Sequence, residues 1–217
     1  MNTLSESDFE KLTTLAEKAV DEAIRQEFGE VNALEGKNIL MRNVITELIR
    51  KVLEYDSREL FSIKYLEEEF FLPVELGNGK EVNLYGIIDR VDLARDIYRI
   101  VDYKTGAPDS KIARDIESLF TSPDFKEQFQ AFFYALLLRK RVSNQPIKAG
   151  LLRLRKISEG IGFINDGNVI TNEQFDEFMA HTRKLLMEIF DASIPFSQTA
   201  DEKRCLYCAY KDICNRQ

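Results

Sequence analysis

The residues best suited to chemistry in this chain of 217 lie in two short stretches. They are Gly86-Ile87-Ile88-Asp89-Arg90-Val91-Asp92 and Ile100-Val101-Asp102-Tyr103-Lys104-Thr105-Gly106. If a turn is centred between Arg95 and Asp96, directly opposed residues have numbers that add to 191, as those of Asp89 and Asp102 do. Opposed Cβ atoms lie about 4.5–5.5 Å apart, and like charges placed there oppose pairing. Two carboxylates about 4 Å apart repel by about 4 kcal/mol at an effective dielectric near 20. Either one is protonated or a cation sits between them. A hard divalent ion with oxygen ligands fits best, Mg²⁺ or Mn²⁺. Lys104, two residues beyond Asp102, points to the same face, whereas Asp92 falls on the other. Paired acids, a divalent metal and an ammonium suit phosphodiester hydrolysis. The metal acidifies a water and offsets charge developing on phosphate oxygens, and the lysine orients the water or stabilises the transition state. The bland alternative is a surface hairpin with solvated acids and a lysine paired to one of them. The apolar neighbours Ile87, Ile88, Val91, Ile100 and Val101 favour the first reading, because they set the acids on an otherwise buried sheet.

The elements that must hold these groups follow from periodicity. Apolar residues at helical spacing predict helices over 5–28 and 37–54. From about residue 61 the texture turns to strands, with Tyr65, Phe70, Phe71 and Val74, a turn at Gly77-Asn78-Gly79-Lys80, then Val82–Leu93 and Ile97–Tyr103. That reads as a three-stranded antiparallel meander. Helices are expected at 111–119 and 124–141, strands at 149–155 and 161–165, and a helix at 173–190. The order implies an α/β or α+β sandwich with the sheet as its central layer. The composition, 44% hydrophobic and 31% charged, is that of a globular protein with a real core. No run is apolar enough for a membrane span and the first residues lack a signal peptide's signature, so a cytoplasmic setting is expected. A net charge of −7 argues against coating nucleic acid through bulk charge but leaves room for a local basic groove. Candidates for phosphate contacts are Arg139, Lys140, Arg141, Arg153, Arg155 and Lys156.

These residues resemble the RecB-like nucleases of the PD-(D/E)XK superfamily. The resemblance rests on the Asp89 and Asp102-Tyr103-Lys104 segments together with Gln130-Ala131-Phe132-Phe133-Tyr134, a Gln-x-x-x-Tyr signature on the following helix. It implies a restriction-endonuclease-like core with a central mixed sheet flanked by helices, extended by N-terminal helices and a C-terminal cysteine segment. It also implies that Asp89, Asp102 and the backbone carbonyl of Tyr103 bind the metal and that Lys104 acts on the attacking water. Gln130 and Tyr134, one helical turn apart beside the stripe of Phe125, Phe129, Phe132, Phe133 and Leu136, reach toward Lys104 or a substrate phosphate. The likeness extends most to the C-terminal nuclease domain of AddB-type helicase-nucleases, because Cys205, Cys208 and Cys214 have the spacing with which such domains hold a [4Fe-4S] cluster.

Two departures accompany the resemblance. The cluster needs four cysteines and the chain has three, and relatives carry a metal-binding His ahead of the acidic motif. The one His here, His181, lies off the Phe175, Phe178, Thr182, Leu185, Ile189 stripe and reads as a solvated surface residue. Both gaps are explained if the chain is a fragment of a larger protein beginning after that helix. The expected organisation is one nuclease-like unit over 1–217, with a helical lead-in at 1–60, a catalytic core at 61–165 and a C-terminal helix and cysteine segment at 166–217. The expected function is a metal-dependent DNA nuclease, an exonuclease of repair or recombination that acts on ends or single strands together with a helicase partner. The alternatives are a degenerate module that binds DNA or a helicase partner, and a C-terminal zinc-binding knob built on the three cysteines.

Overall fold

The computed structural model describes residues 6–29, 35–77, 79–106, 112–143, 145–195, 197–206 and 208–215. Ser5, Asn78 and Lys111, at the edges of expected elements, and Tyr207 and Arg216 of the cysteine segment lie outside them.

The chain opens with α1 (Glu6–Phe28) and α2 (Lys37–Asp56), paired through a small apolar cluster of Val20 and Ile24 against Met41, Ile45 and Ile49. Asp21 accepts two hydrogen bonds from the Arg42 guanidinium across this pair. The expected meander follows as β1 (Ser62–Glu75), β2 (Glu81–Ala94) and β3 (Ile97–Lys104). The turn between β2 and β3 consists of Arg95 and Asp96, both left-handed (φ 50° and 61°), as a two-residue hairpin turn requires. The ladder pairs Arg90 with Val101, Val91 with Ile100 and Ala94 with Ile97, the register expected from the turn position.

After β3 come α3 (Ile116–Thr121), α4 (Lys126–Arg141), β4 (Ile147–Arg153), β5 (Ile161–Phe163) and α5 (Asn172–Ile189). The sheet order is β1-β2-β3-β4-β5, antiparallel throughout except for β3 beside β4. A parallel neighbour requires a crossover, and the α3–α4 segment supplies it. On α4, Ala131, Phe132, Ala135, Leu136, Leu137 and Leu138 are buried. They share one core with Phe70, Val74, Leu84, Ile88, Val91, Ile100, Ile147 and Ala149 of the sheet. The result is the mixed α/β sheet flanked by helices that the motif order implied. Among the described residues no helix is long and apolar enough to cross a membrane.

Several boundaries differ from expectation, each for a local reason. Residues 112–115 are not helical, because Asp115 caps α3 by accepting from the backbone N–H of Ser118, so the helix starts at Ile116 rather than near 111. The fourth strand runs over 147–153, not 149–155, since residues 154–159 coil into 3₁₀ turns. The fifth stops at Phe163, and Asn165 and Asp166 turn the chain with positive φ. On α5, Phe175, Phe178 and Thr182 are buried as expected, but Leu185 and Ile189 are exposed and Met179 and Leu186 pack on the core in their place. His181 is half-buried rather than solvated: its ring stacks on Phe120 of α3 at 5.1 Å between centroids.

Candidate active site

Strand alternation slips once along β2. Ile88 and Val91 are three residues apart yet both fully buried in the same core. Between them lies Asp89, and across from it Glu67 of β1 takes a left-handed φ of 48°. Past this slip, Asp89 faces the end of β3 and its Oδ2 accepts from the backbone N–H of Tyr103 at 2.8 Å. Asp102 is buried, 2% exposed, and its Oδ2 lies 2.7 Å from Lys104 Nζ. Lys104 also donates to Gln130 Oε1 at 2.8 Å, and Gln130 Nε2 donates to the Tyr134 hydroxyl at 2.9 Å. The structure thus brings together Asp89, Asp102, Lys104, Gln130 and Tyr134 from two strands and one helix.

Gly86, at the head of the first motif, is what lets α4 come this close. A Cβ there would stand 2.9 Å from Leu137 Cδ1 and 3.1 Å from Tyr134 Cε1. Burial pushes the Asp102 carboxyl up from its usual range. Lys104 opposes that shift, and the negative fields of Asp89 and Glu127 add to it. Glu127 is a member of the site that the sequence motifs do not single out. It stands one turn before Gln130 on α4 and accepts from Arg153 Nη2 at 2.6 Å, with both side chains largely buried. Arg153 in turn is the β4 register partner of Lys104. The helical i,i+3 spacing to Gln130 is the signal that points to Glu127.

The opposite face carries a second, wholly different set of charges. Asp92, 0% exposed, accepts from Arg90 Nε at 3.1 Å and Arg99 Nε at 2.6 Å. Arg90 Nη1 donates to Asp56 of α2 at 2.7 Å and to the Tyr103 hydroxyl at 2.9 Å, while Arg99 Nη1 donates to Glu59. Strand parity, which sets Asp92 apart from the acid pair, agrees with where it sits.

The six basic candidates scatter. At the far end of α4, Arg139 pairs with Asp176 and Asn172, Arg141 pairs with Glu68, and Lys140 lines a shallow groove together with Arg139. Arg153 and Lys156 line a cleft of about 340 Å³ that Glu127 also lines, and Arg155 lies in a separate groove with Lys51 and Arg58. Cys205 and Cys214 are half-buried and Cys208 is exposed, all as free thiols. Among the described residues no three His, Cys, Asp or Glu side chains converge as a metal-holding group. Three thiols do not by themselves complete a four-cysteine cluster. For a hard divalent ion the fit is better, because Asp89 and Asp102, on neighbouring strands, offer carboxylate oxygens.

A mixed sheet carrying an Asp on one strand and an Asp-x-Lys on the next fits a nuclease core. Residues 2–215 match the PD-(D/E)XK nuclease superfamily, and the chain belongs to it. Among curated proteins it is similar to a subunit of the ATP-dependent helicase/deoxyribonuclease of Clostridium novyi (strain NT), with 23% identity over 240 aligned residues. That alignment takes in 80% of this chain and 21% of the relative, so the chain spans about a fifth of that protein's length. A solved structure described as "Crystal structure of SSO0001" aligns over 93% of this chain and 82% of its own, at 14% identity and a TM-score of 0.40.

Proposed function

We propose that this chain is a Mg²⁺- or Mn²⁺-dependent deoxyribonuclease, an exonuclease that processes DNA ends or single strands during repair and works beside a helicase. The observation that carries the reading is the chain of contacts Asp102–Lys104–Gln130–Tyr134 with Asp89 alongside. The similarity to part of a helicase/deoxyribonuclease supports the helicase partner and the DNA substrate. Asp89, Asp102 and the Tyr103 carbonyl are the residues that would hold the ion, which supplies Lewis acidity and an acidified water when bound. Lys104 orients that water or offsets charge on the phosphate oxygens. Gln130, backed by Tyr134, fixes the ammonium so that its position does not depend on Asp102 alone. Burial excludes bulk water from Asp102 and strengthens its interaction with any cation brought beside it.

The test is degradation of end-labelled single- and double-stranded DNA in Mg²⁺ or Mn²⁺, with Lys104→Ala as control and circular dichroism to verify folding. Metal-dependent cleavage that falls by at least about a hundredfold in Lys104→Ala is expected. Cleavage unaffected by the substitution would remove the assignment. A folded wild-type chain that binds DNA in a salt-dependent way without turnover would make it a binding module instead.

A further inference from the structure

The back of the sheet is wired to the front through one residue. Tyr103 presents its backbone to the acid pair, with its N–H on Asp89 Oδ2 at 2.8 Å. Its side chain points the other way, where the hydroxyl accepts from Arg90 Nη1 at 2.9 Å. Arg90, 1% exposed, is held in turn by Asp92 and by Asp56 at the end of α2. Its guanidinium also lies over the Phe61 ring at 4.9 Å and the Tyr103 ring at 5.8 Å. A guanidinium fixed by two carboxylates and an aromatic face has almost no freedom to reorient. The tyrosine hydroxyl is therefore anchored to a rigid point and the Tyr103 backbone with it.

We propose that Arg90 and the Tyr103 hydroxyl are positioning residues for the metal site, and that Asp56 extends this support to α2. The inference rests on reading Asp89, Asp102 and the Tyr103 carbonyl as the metal-holding set. Losing an outer partner that orients a ligand typically costs about ten- to a hundredfold in metal affinity. Here the oriented ligand is a main-chain carbonyl, and its orientation is set by a side chain on the opposite face of the sheet. Asp89 is tuned by the same device, because its partner is the N–H of the residue that Arg90 anchors.

The experiment is Mn²⁺ binding followed by electron paramagnetic resonance, with thermal melting of the same proteins. The variants are Tyr103→Phe and Asp56→Asn, with Asp89→Asn to identify the site and Ile147→Val as a core substitution remote from the network. Tyr103→Phe removes only the hydroxyl, so it retains the ring and the backbone. Its Mn²⁺ dissociation constant is expected to rise about tenfold, with a smaller rise for Asp56→Asn and none for Ile147→Val. If Tyr103→Phe and Asp56→Asn melt lower but bind Mn²⁺ as wild type does, the network is a structural brace only and the proposal fails. If no Mn²⁺ site depends on Asp89, the proposal fails with its premise. Asp89-dependent Mn²⁺ binding that weakens in Tyr103→Phe upholds the proposal even where wild type cuts no DNA. That last result would sink the nuclease reading alone.

Discussion

Lys104, the last residue of β3, donates to Gln130 of α4 at 2.8 Å, so one hydrogen bond fixes its ammonium to the crossover helix. The same ammonium sits 2.7 Å from Asp102, and Tyr134 steadies the glutamine from one turn further on. Removing Gln130 takes away the tether that holds Lys104 to α4, and misplacement of a catalytic group by about 1 Å costs on the order of a hundredfold. Gln130→Ala is therefore expected to lower kcat by about a hundredfold with little change in KM. Tyr134→Phe, which loses one neutral hydrogen bond, should cost about two- to tenfold. Steady-state kinetics on a labelled oligonucleotide distinguishes these outcomes, and equal effects of the two substitutions would contradict the order of contacts.

Gly86 carries a separate prediction. An added methyl meets Leu137 and Tyr134 at 2.9 and 3.1 Å, so α4 must retreat from the sheet or its side chains must leave their rotamers. Overpacking of this kind costs about 1–3 kcal/mol. Gly86→Ala should lower the unfolding free energy by that amount in urea denaturation and also reduce activity, because Tyr134 moves with α4. Pairing it with Leu137→Ala should recover part of the stability.

Asp92 joins two buried guanidiniums, and nothing else on that strand can take its place. Asp92→Ala leaves Arg90 and Arg99, 1% and 7% exposed, short of a counter-charge. Breaking a buried pair from one side costs about 3–5 kcal/mol, a drop of about 10 °C in Tm for a chain of this size. Calorimetry of the variant measures it, and a shift below about 2 °C would mean that Asp56 and Glu59 suffice.

The α1–α2 pair has its own pH dependence. The hydrogen bonds from Arg42 hold the Asp21 carboxyl below the usual carboxylate range, with Arg25 adding to the effect. A depressed carboxylate stabilises the folded form above its unfolded pKa, and that contribution disappears as pH falls through the folded value. Acidification below about pH 4 should therefore loosen α1 from α2 before the sheet responds. Amide exchange of α1 measured against that of β2 would show it, and Asp21→Asn should remove the acid-dependent step.

How much of this is legible in the sequence depends on the distance the information travels along the chain. The β2–β3 register follows from a two-residue turn and strand alternation, both local, and it pairs Arg90 with Val101, the residues next to Asp89 and Asp102. Gln130 and Tyr134 are readable because a helix sets their spacing and a known motif order gives them a target. Glu127 is hinted at only by its spacing to Gln130, and Arg153 only as one basic residue among six, since their 2.6 Å contact exists only once α4 has docked on β4. Asp56 and Glu59 are silent for the same reason: they meet Arg90 and Arg99 by the way α2 ends over the sheet. Periodicity misplaces His181 because it reports the helix face turned to the core and is blind to a neighbouring ring such as that of Phe120. The burial of both Ile88 and Val91 in one core escapes strict period-2 reasoning, which would set them on opposite faces.

On the ribosome, β1, β2 and β3 emerge in order as a contiguous meander, so the strands that carry Asp89 and Asp102 can pair while α4 is still unmade. Lys104 lies beside Asp102. Its tether at Gln130 cannot form until α4 has emerged and packed, and α4 has no complete sheet to pack on until β4 pairs beside β3. At about 5–20 residues per second this interval lasts a few seconds. During it Lys104 has no tether to α4, and its contact with Gln130 follows only once translation has passed β4.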